Sequence, residues 1–219
     1  VKHYPAFIIL LAGLLSITSC APARFVKPLK EGETTVTASG GGPIVYFFPL
    51  PFSNVTVGHG LTNATTVFGS INTSSLFFGD IQLEAGASTL LLGNKHEAGL
   101  TVTPILNAMM DVWENNVRVW PQVDLHLFNT YNRAGDYYYG TISNWFEIPS
   151  QKAHGEAQKN HWFLSTGIGH VSKFKVLDLT LEVKYHAIGI DNSNRVLDYV
   201  GVNGKGTLGF YAALAYSFK

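Results

Sequence analysis

Leu177-Asp178-Leu179-Thr180-Leu181-Glu182-Val183-Lys184-Tyr185-His186-Ala187 is the stretch that decides the fold. Its odd positions are apolar and its even positions are charged or polar, without a break. Side chains of an extended strand point alternately to opposite faces, so this run has one oily face and one charged face. A helix would scatter the same residues around its circumference. The run is also long. Globular strands run about 5–6 residues, whereas a tilted strand crossing a bilayer needs about 9–11.

The same pattern recurs outward from there. Across 80–87, Ile81, Leu83, Ala85 and Ala87 alternate with Asp80, Gln82, Glu84 and Gly86. Across 117–127, Val117, Val119, Val123, Leu125 and Leu127 alternate with Arg118, Gln122, Asp124 and His126. The last run, 207–218, places Leu208, Phe210, Ala212, Leu214, Tyr216 and Phe218 on one face. Turn residues between such runs predict about ten strands (8–10), near 33–40, 54–61, 65–73, 77–92, 96–109, 116–130, 136–148, 161–172, 175–190 and 205–218. Short helical turns are conceivable at 106–113 and 149–160, but neither has the periodicity of a core helix. Two segments fit less well: 161–172 lacks clean alternation, and parity puts His59 on the apolar face beside Val55, Val57 and Leu61.

The predicted connections differ by parity. Every second one, at 62–64, 93–95, 131–135 and 172–174, is short. The other series holds the long polar or Gly/Pro-rich segments 41–53, 149–160 and 191–204, and one short connection near 72–76. Short periplasmic turns opposite longer outer loops are the asymmetry of outer-membrane barrels. The fold class expected is therefore all-β, an antiparallel up-and-down transmembrane β-barrel.

Ahead of the strands, Lys2 and His3 precede an apolar run from Ala6 to Leu15, which is too short to span a bilayer as a helix and has the layout of a secretory signal. Ile17-Thr18-Ser19-Cys20 resembles the bacterial lipobox, which makes Cys20 the expected lipid attachment residue. Several acyl chains on one cysteine would hold the chain, where a single one gives only marginal binding. The domain expectation is a signal peptide at 1–19, a lipidated N-terminal linker at 20–32 and a barrel domain at 33–219. Cys20 is the only cysteine, so no internal disulfide can form.

Composition agrees with a lipid-facing wall. Charged residues make up 14% of the chain, against about 25% in ordinary soluble domains. Net charge is zero, so there is no basic footprint for nucleic acid. Aromatic residues gather near predicted strand ends, at Phe47-Phe48, Phe77-Phe78, Trp113, Tyr137-Tyr138-Tyr139, Trp145-Phe146 and Trp162-Phe163, where a membrane barrel carries its girdles.

Gly60-Leu61-Thr62-Asn63, Phe78-Gly79-Asp80 and the aromatic-rich last strand resemble outer-membrane β-barrel proteins, in particular the small barrel lipoproteins of the Bacteroidota. That resemblance implies residence in the bacterial outer membrane, lipid anchoring through Cys20 after signal cleavage, and outer-membrane lipid or other envelope proteins as partners. The chain departs from many such barrels in ending Phe218-Lys219 rather than on the aromatic.

No catalytic motif is present. His96-Glu97 lacks the second histidine of a zinc-protease helix, and Gly204-Lys205-Gly206 lacks the spacing of a phosphate loop. Neither a cofactor nor a metal site is expected. Asp80, Glu84, Arg118, Asp124, His126, Asp178, Glu182, Lys184 and His186 share the polar parity of their strands and form a candidate lumen-lining network. Buried charges need partners, so its plainest role is to fill and fix the lumen. The reading favoured is an outer-membrane barrel lipoprotein of structural, accessory or narrow-channel type without catalysis. A lipid-anchored soluble lipocalin-like barrel or sandwich binding an apolar or glycan ligand is the first alternative; a lipocalin-like barrel has an apolar cavity and charges facing water. A lipid A-modifying barrel enzyme using His170 or His59 with a serine is the second.

Overall fold

The computed structural model describes residues 22–113, 116–148, 157–192 and 198–218. Among the described residues eleven strands follow one another: β1 (Thr34–Val45), β2 (Phe48–Pro49), β3 (Phe52–Thr62), β4 (Thr65–Asn72), β5 (Asp80–Gly93), β6 (Ala98–Asp111), β7 (Asn116–Thr130), β8 (Tyr137–Phe146), β9 (Trp162–Lys173), β10 (Leu177–Asp191) and β11 (Lys205–Phe218). All neighbours are antiparallel. β1 pairs with β11 from Thr34↔Phe218 to Pro43↔Gly209, and this closes β1 and β3–β11 into a ten-stranded barrel. Closure leaves no free edge, the condition for a sheet in hydrocarbon, where an unpaired backbone group has no water to turn to. β2 is a two-residue strand pairing with the tip of β1.

The alternation read from the sequence is the alternation of the wall. On β10, Glu182 and Lys184 are buried inside, whereas Leu181 and Val183 stay exposed outside. The pattern ends where Ala187 and Gly189 take positive φ and the pairing with β11 shifts register between His186 and Asp191. β9 lacks clean alternation because Ser165, Gly167 and Gly169, in the middle of its inward face, are small. A Cβ at Gly169 would meet the Tyr139 ring at 2.2 Å, so glycine there yields space to a residue of the neighbouring strand.

Three expectations are corrected. Residues 41–45 continue β1 instead of opening a long loop, since Gly41 and Pro43 still pair with β11. Phe77-Phe78 does not begin a strand; a short 3₁₀ helix, Ser75–Phe78, ends at Gly79 with φ 82, and β5 starts at Asp80. The segment 106–113 is strand as far as Asp111. The other helical expectation, 149–160, lies outside the described residues for 149–156. No helix is long and apolar enough to cross a membrane among the described residues.

One barrel end carries the tight connections Thr62 to Thr65, Gly93 to Ala98, Thr130 to Tyr137 and Lys173 to Leu177, together with the start of β1 and the end of β11. It is called the short-turn end below, and the other the long-loop end.

Candidate functional site

The interior is where polar groups converge. Asp80, Glu84, Asp124, His126, Glu182 and Lys184 are buried, and Arg118, Asp178 and His186 are half-buried on inward positions of their strands. Lys184 Nζ lies 3.6 Å from Glu182 Oε1 on the same face of β10. Gln122 donates to Asp124 at 2.9 Å. His186 Nε2 sits 2.7 Å from the Tyr211 hydroxyl. Lys173 pairs with Asp178.

Glu84 finds its partner elsewhere. The segment 22–30, expected as part of a linker, runs inside the barrel from the short-turn end. Arg24 Nη2 is 2.8 Å from Glu84 Oε2, its Nε donates to the same oxygen at 3.2 Å, and its Nη2 also reaches Ser70 Oγ at 3.4 Å. The pair is almost fully buried on both sides.

Wall side chains also read the segment's backbone. Ala23 N donates to Glu182 at 2.7 Å and Leu29 N donates to Thr66 Oγ1 at 2.7 Å. Ser88 Oγ donates to the Phe25 carbonyl at 2.6 Å, and Thr101 Oγ1 to the Val26 carbonyl at 2.8 Å. Each of these groups would otherwise be buried unpaired, at a cost of about 1–3 kcal/mol.

Packing completes the seat. Val26 joins Phe128, Tyr137, Tyr139 and Val171 in one buried apolar cluster. Phe25 leans on Phe68, with ring centroids 5.6 Å apart. A Cβ at Gly58 would meet the Phe25 ring at 2.2 Å, and one at Gly60 the Lys30 carbonyl at 2.0 Å. These two glycines of β3 are the floor on which the segment lies. Sequence reasoning missed the seat. Its only local signals are a pair of alternate-position glycines and one arginine in an apolar stretch.

The aromatic residues divide by parity. Phe47, Phe48, Phe77, Trp113 and Trp162 are exposed at the long-loop end, and Tyr131, Tyr138, Phe174 and Phe218 at the short-turn end. Tyr137 and Tyr139 instead face inward, as do Trp145, stacked on Trp120 at 5.4 Å, and Phe163. Consecutive residues of one strand cannot share a face, so a triple such as Tyr137-Tyr138-Tyr139 gives the girdle one ring only.

His59 and His170 lie on the outer wall near the short-turn end. His59 Nδ1 is 2.9 Å from Thr34 Oγ1. His170 Nε2 is 2.9 Å from the Tyr131 hydroxyl, and its Nδ1 is 3.5 Å from Ser172 Oγ, long for a hydrogen bond. In the turn beside them, the Lys173 backbone N–H and then the Asn132 amide hold the Asp136 carboxyl below its ordinary range. At the opposite end, burial pushes Glu147 up while the Arg118 charge opposes the shift. Among the described residues, no three His, Cys, Asp or Glu side chains are grouped to hold a metal ion.

No family model matches this chain, and neither does any curated protein. Solved barrels are similar to it in fold. The NanC porin is 9% identical, with a TM-score of 0.44 over 83% of this chain and 98% of that one. The translocator domain of the autotransporter NalP from Neisseria meningitidis is 9% identical, with a TM-score of 0.44 over 98% and 95%. The KdgM porin is 10% identical, with a TM-score of 0.40 over 84% and 99%.

Proposed function

We propose that this chain is a bacterial outer-membrane β-barrel, of structural, accessory or narrow-channel type and without catalysis, whose lumen is closed by its own residues 22–30. One observation carries the reading. Outside, an aliphatic belt that includes Leu83, Leu106, Ile142, Ile168 and Val183 lies between two rings of exposed aromatics, while the charges of the strands are turned inside. A soluble lipocalin-like barrel distributes its residues the other way, apolar within and charged without. The turn asymmetry supports a periplasmic short-turn end. With that orientation the His170–Ser172 pair lies by the periplasmic leaflet, which does not favour the lipid A-modifying alternative.

A lipid anchor at Cys20, after a signal peptide, belongs to the same proposal, in the manner of small barrel lipoproteins of the Bacteroidota. Cys20 lies outside the described residues. Pro22, two residues later, is buried in the lumen. Two residues span about 7 Å at most. Acyl chains placed in the periplasmic leaflet and a seated Pro22 therefore belong to two states of one chain, and the lumen is closed in the state with residues 22–30 seated.

The test is a Cys20→Ala form with its leader intact, examined by carbonate extraction and by heat-dependent gel mobility. Resistance to extraction with a mobility shift on boiling is the expected result. Release as a soluble folded protein would overturn the proposal. Incorporation of labelled palmitate into the parent chain but not into Cys20→Ala tests the anchor separately.

A further inference from the structure

Between the seated segment and the wall, at the short-turn end, lies a cavity of about 860 Å³. Its volume falls within the range of small-molecule sites, about 300–1,000 Å³. Its charge is one-sided. Two of the cations lining it are already engaged, Arg24 by Glu84 and Lys173 by Asp178. Lys27, Lys30, Lys95, Arg133 and Lys175 also line it, and Glu33 is the one further carboxylate that does. None of those five is within ion-pairing distance of a carboxylate among the described residues. Glu33 already accepts from the Lys30 backbone N–H at 3.0 Å.

The cations are also crowded. Lys27 lies in the field of Lys173 as well as that of Asp178, and Lys95 in the field of Lys30 as well as that of Glu33. Lys27 is the most fixed: its ammonium donates to Thr130 Oγ1 and stands 4.1 Å from the Tyr137 ring centroid. Glu31, Glu97 and Asp136 stand in the neighbouring turns and do not line the cavity. Lys27 and Lys95, half-buried against the concave wall, keep more of their field than the exposed Lys30, Arg133 and Lys175 do.

We infer that this vestibule is a binding site for a small anionic solute bearing carboxylate or phosphate groups. Lys27 is the anchor at its inner end, Lys30, Lys95 and Lys175 are the collar at its mouth, and the Tyr137 ring is the apolar wall for the solute's carbon frame. The inference rests on the proposed function only for the compartment that supplies the solute. Binding itself requires neither conduction nor insertion in a native membrane.

The test is calorimetric titration of the folded, detergent-solubilised Cys20→Ala chain, in which no acyl anchor draws residues 22–30 from the lumen, with citrate and, separately, with inorganic pyrophosphate at low ionic strength. Saturable binding of at least one is expected, weakening as salt is raised, and weakening at least tenfold in Lys27→Gln/Lys175→Gln. The stronger probe assigns the preferred group. Failure of both probes to bind, or binding that the double substitution leaves unchanged, overturns the inference. Heat-modifiable mobility checks that the variant is folded. Should Lys27→Gln disturb the seat, Lys30→Gln/Lys95→Gln at the rim must show the same loss. Carbonate extraction reports on membrane insertion independently, so failure of this site and failure of the barrel reading are told apart.

Discussion

Arg24 and Glu84 are 60 positions apart in sequence and share one ion pair inside the barrel. Breaking a buried pair by removing one partner costs about 3–5 kcal/mol, because the other charge is stranded; removing both costs far less. Arg24→Met is therefore expected to loosen residues 22–30 more than Arg24→Met/Glu84→Leu does. The measurement is the rate of protease cutting within 22–33 in the folded barrel, set against the parent and the Glu84→Leu single variant as a double-mutant cycle. Equal rates in all four would remove the pair from any part in holding the segment. Half of this pair was legible: strand parity alone assigns Glu84 to the charged face of its strand. Arg24 was not, because its stretch has no alternation, and nothing in local sequence says which distant carboxylate will neutralise it. Tyr137-Tyr138-Tyr139 shows the opposite failing, where a composition signal for a girdle overrode the parity that separates Tyr138 from its neighbours.

At the scale of elements, parity and turn chemistry carried most of what the sequence could say. Where both faces are distinct, as in β7 and β10, the period of two marks the strand and its orientation together. β9 was harder, since its inward face uses Gly167 and Gly169 to admit Lys184 and Tyr139, and small residues erase the contrast on which periodicity depends. The far end of β1 was hidden because Gly40-Gly41-Gly42-Pro43 has the composition of a loop, although its backbone still pairs with β11. A test of orientation belongs to β9. Ile168 is 71% exposed and lies beside Val183 of β10 in register. If this face meets hydrocarbon, Ile168→Arg destabilises the inserted barrel by about 2–4 kcal/mol, the depth-dependent cost of a cation near the midplane. Urea-driven unfolding from lipid vesicles measures it. The same cost absent in vesicles would mean that the belt around Ile168 does not contact lipid.

For the whole molecule, the question is what an internal segment does to a barrel of this size. Eight strands leave a lumen that side chains fill, and 16–18 leave an aqueous channel. Ten strands stand near the first limit, and here Phe68, Phe128, Tyr137 and Tyr139 already narrow the path beside the segment. Residues 22–30 then lie on the side of β3, β4 and β5, where Gly58, Ser70, Glu84 and Ser88 receive them, and the vestibule at the short-turn end is left beside them. The wall does not depend on them for closure, since β1 meets β11 without their help. Deleting 22–30 should thus leave the barrel folded, with its mobility shift on boiling intact. It should also expose Glu84 and Glu182 to water, which removes the penalty of stranding them buried. Single-channel recording in planar bilayers is expected to show a conductance raised several-fold over the parent. A deleted barrel as silent as the parent would mean that the inward aromatics alone seal the lumen, and the chain would then be better read as a structural or accessory barrel than as a channel.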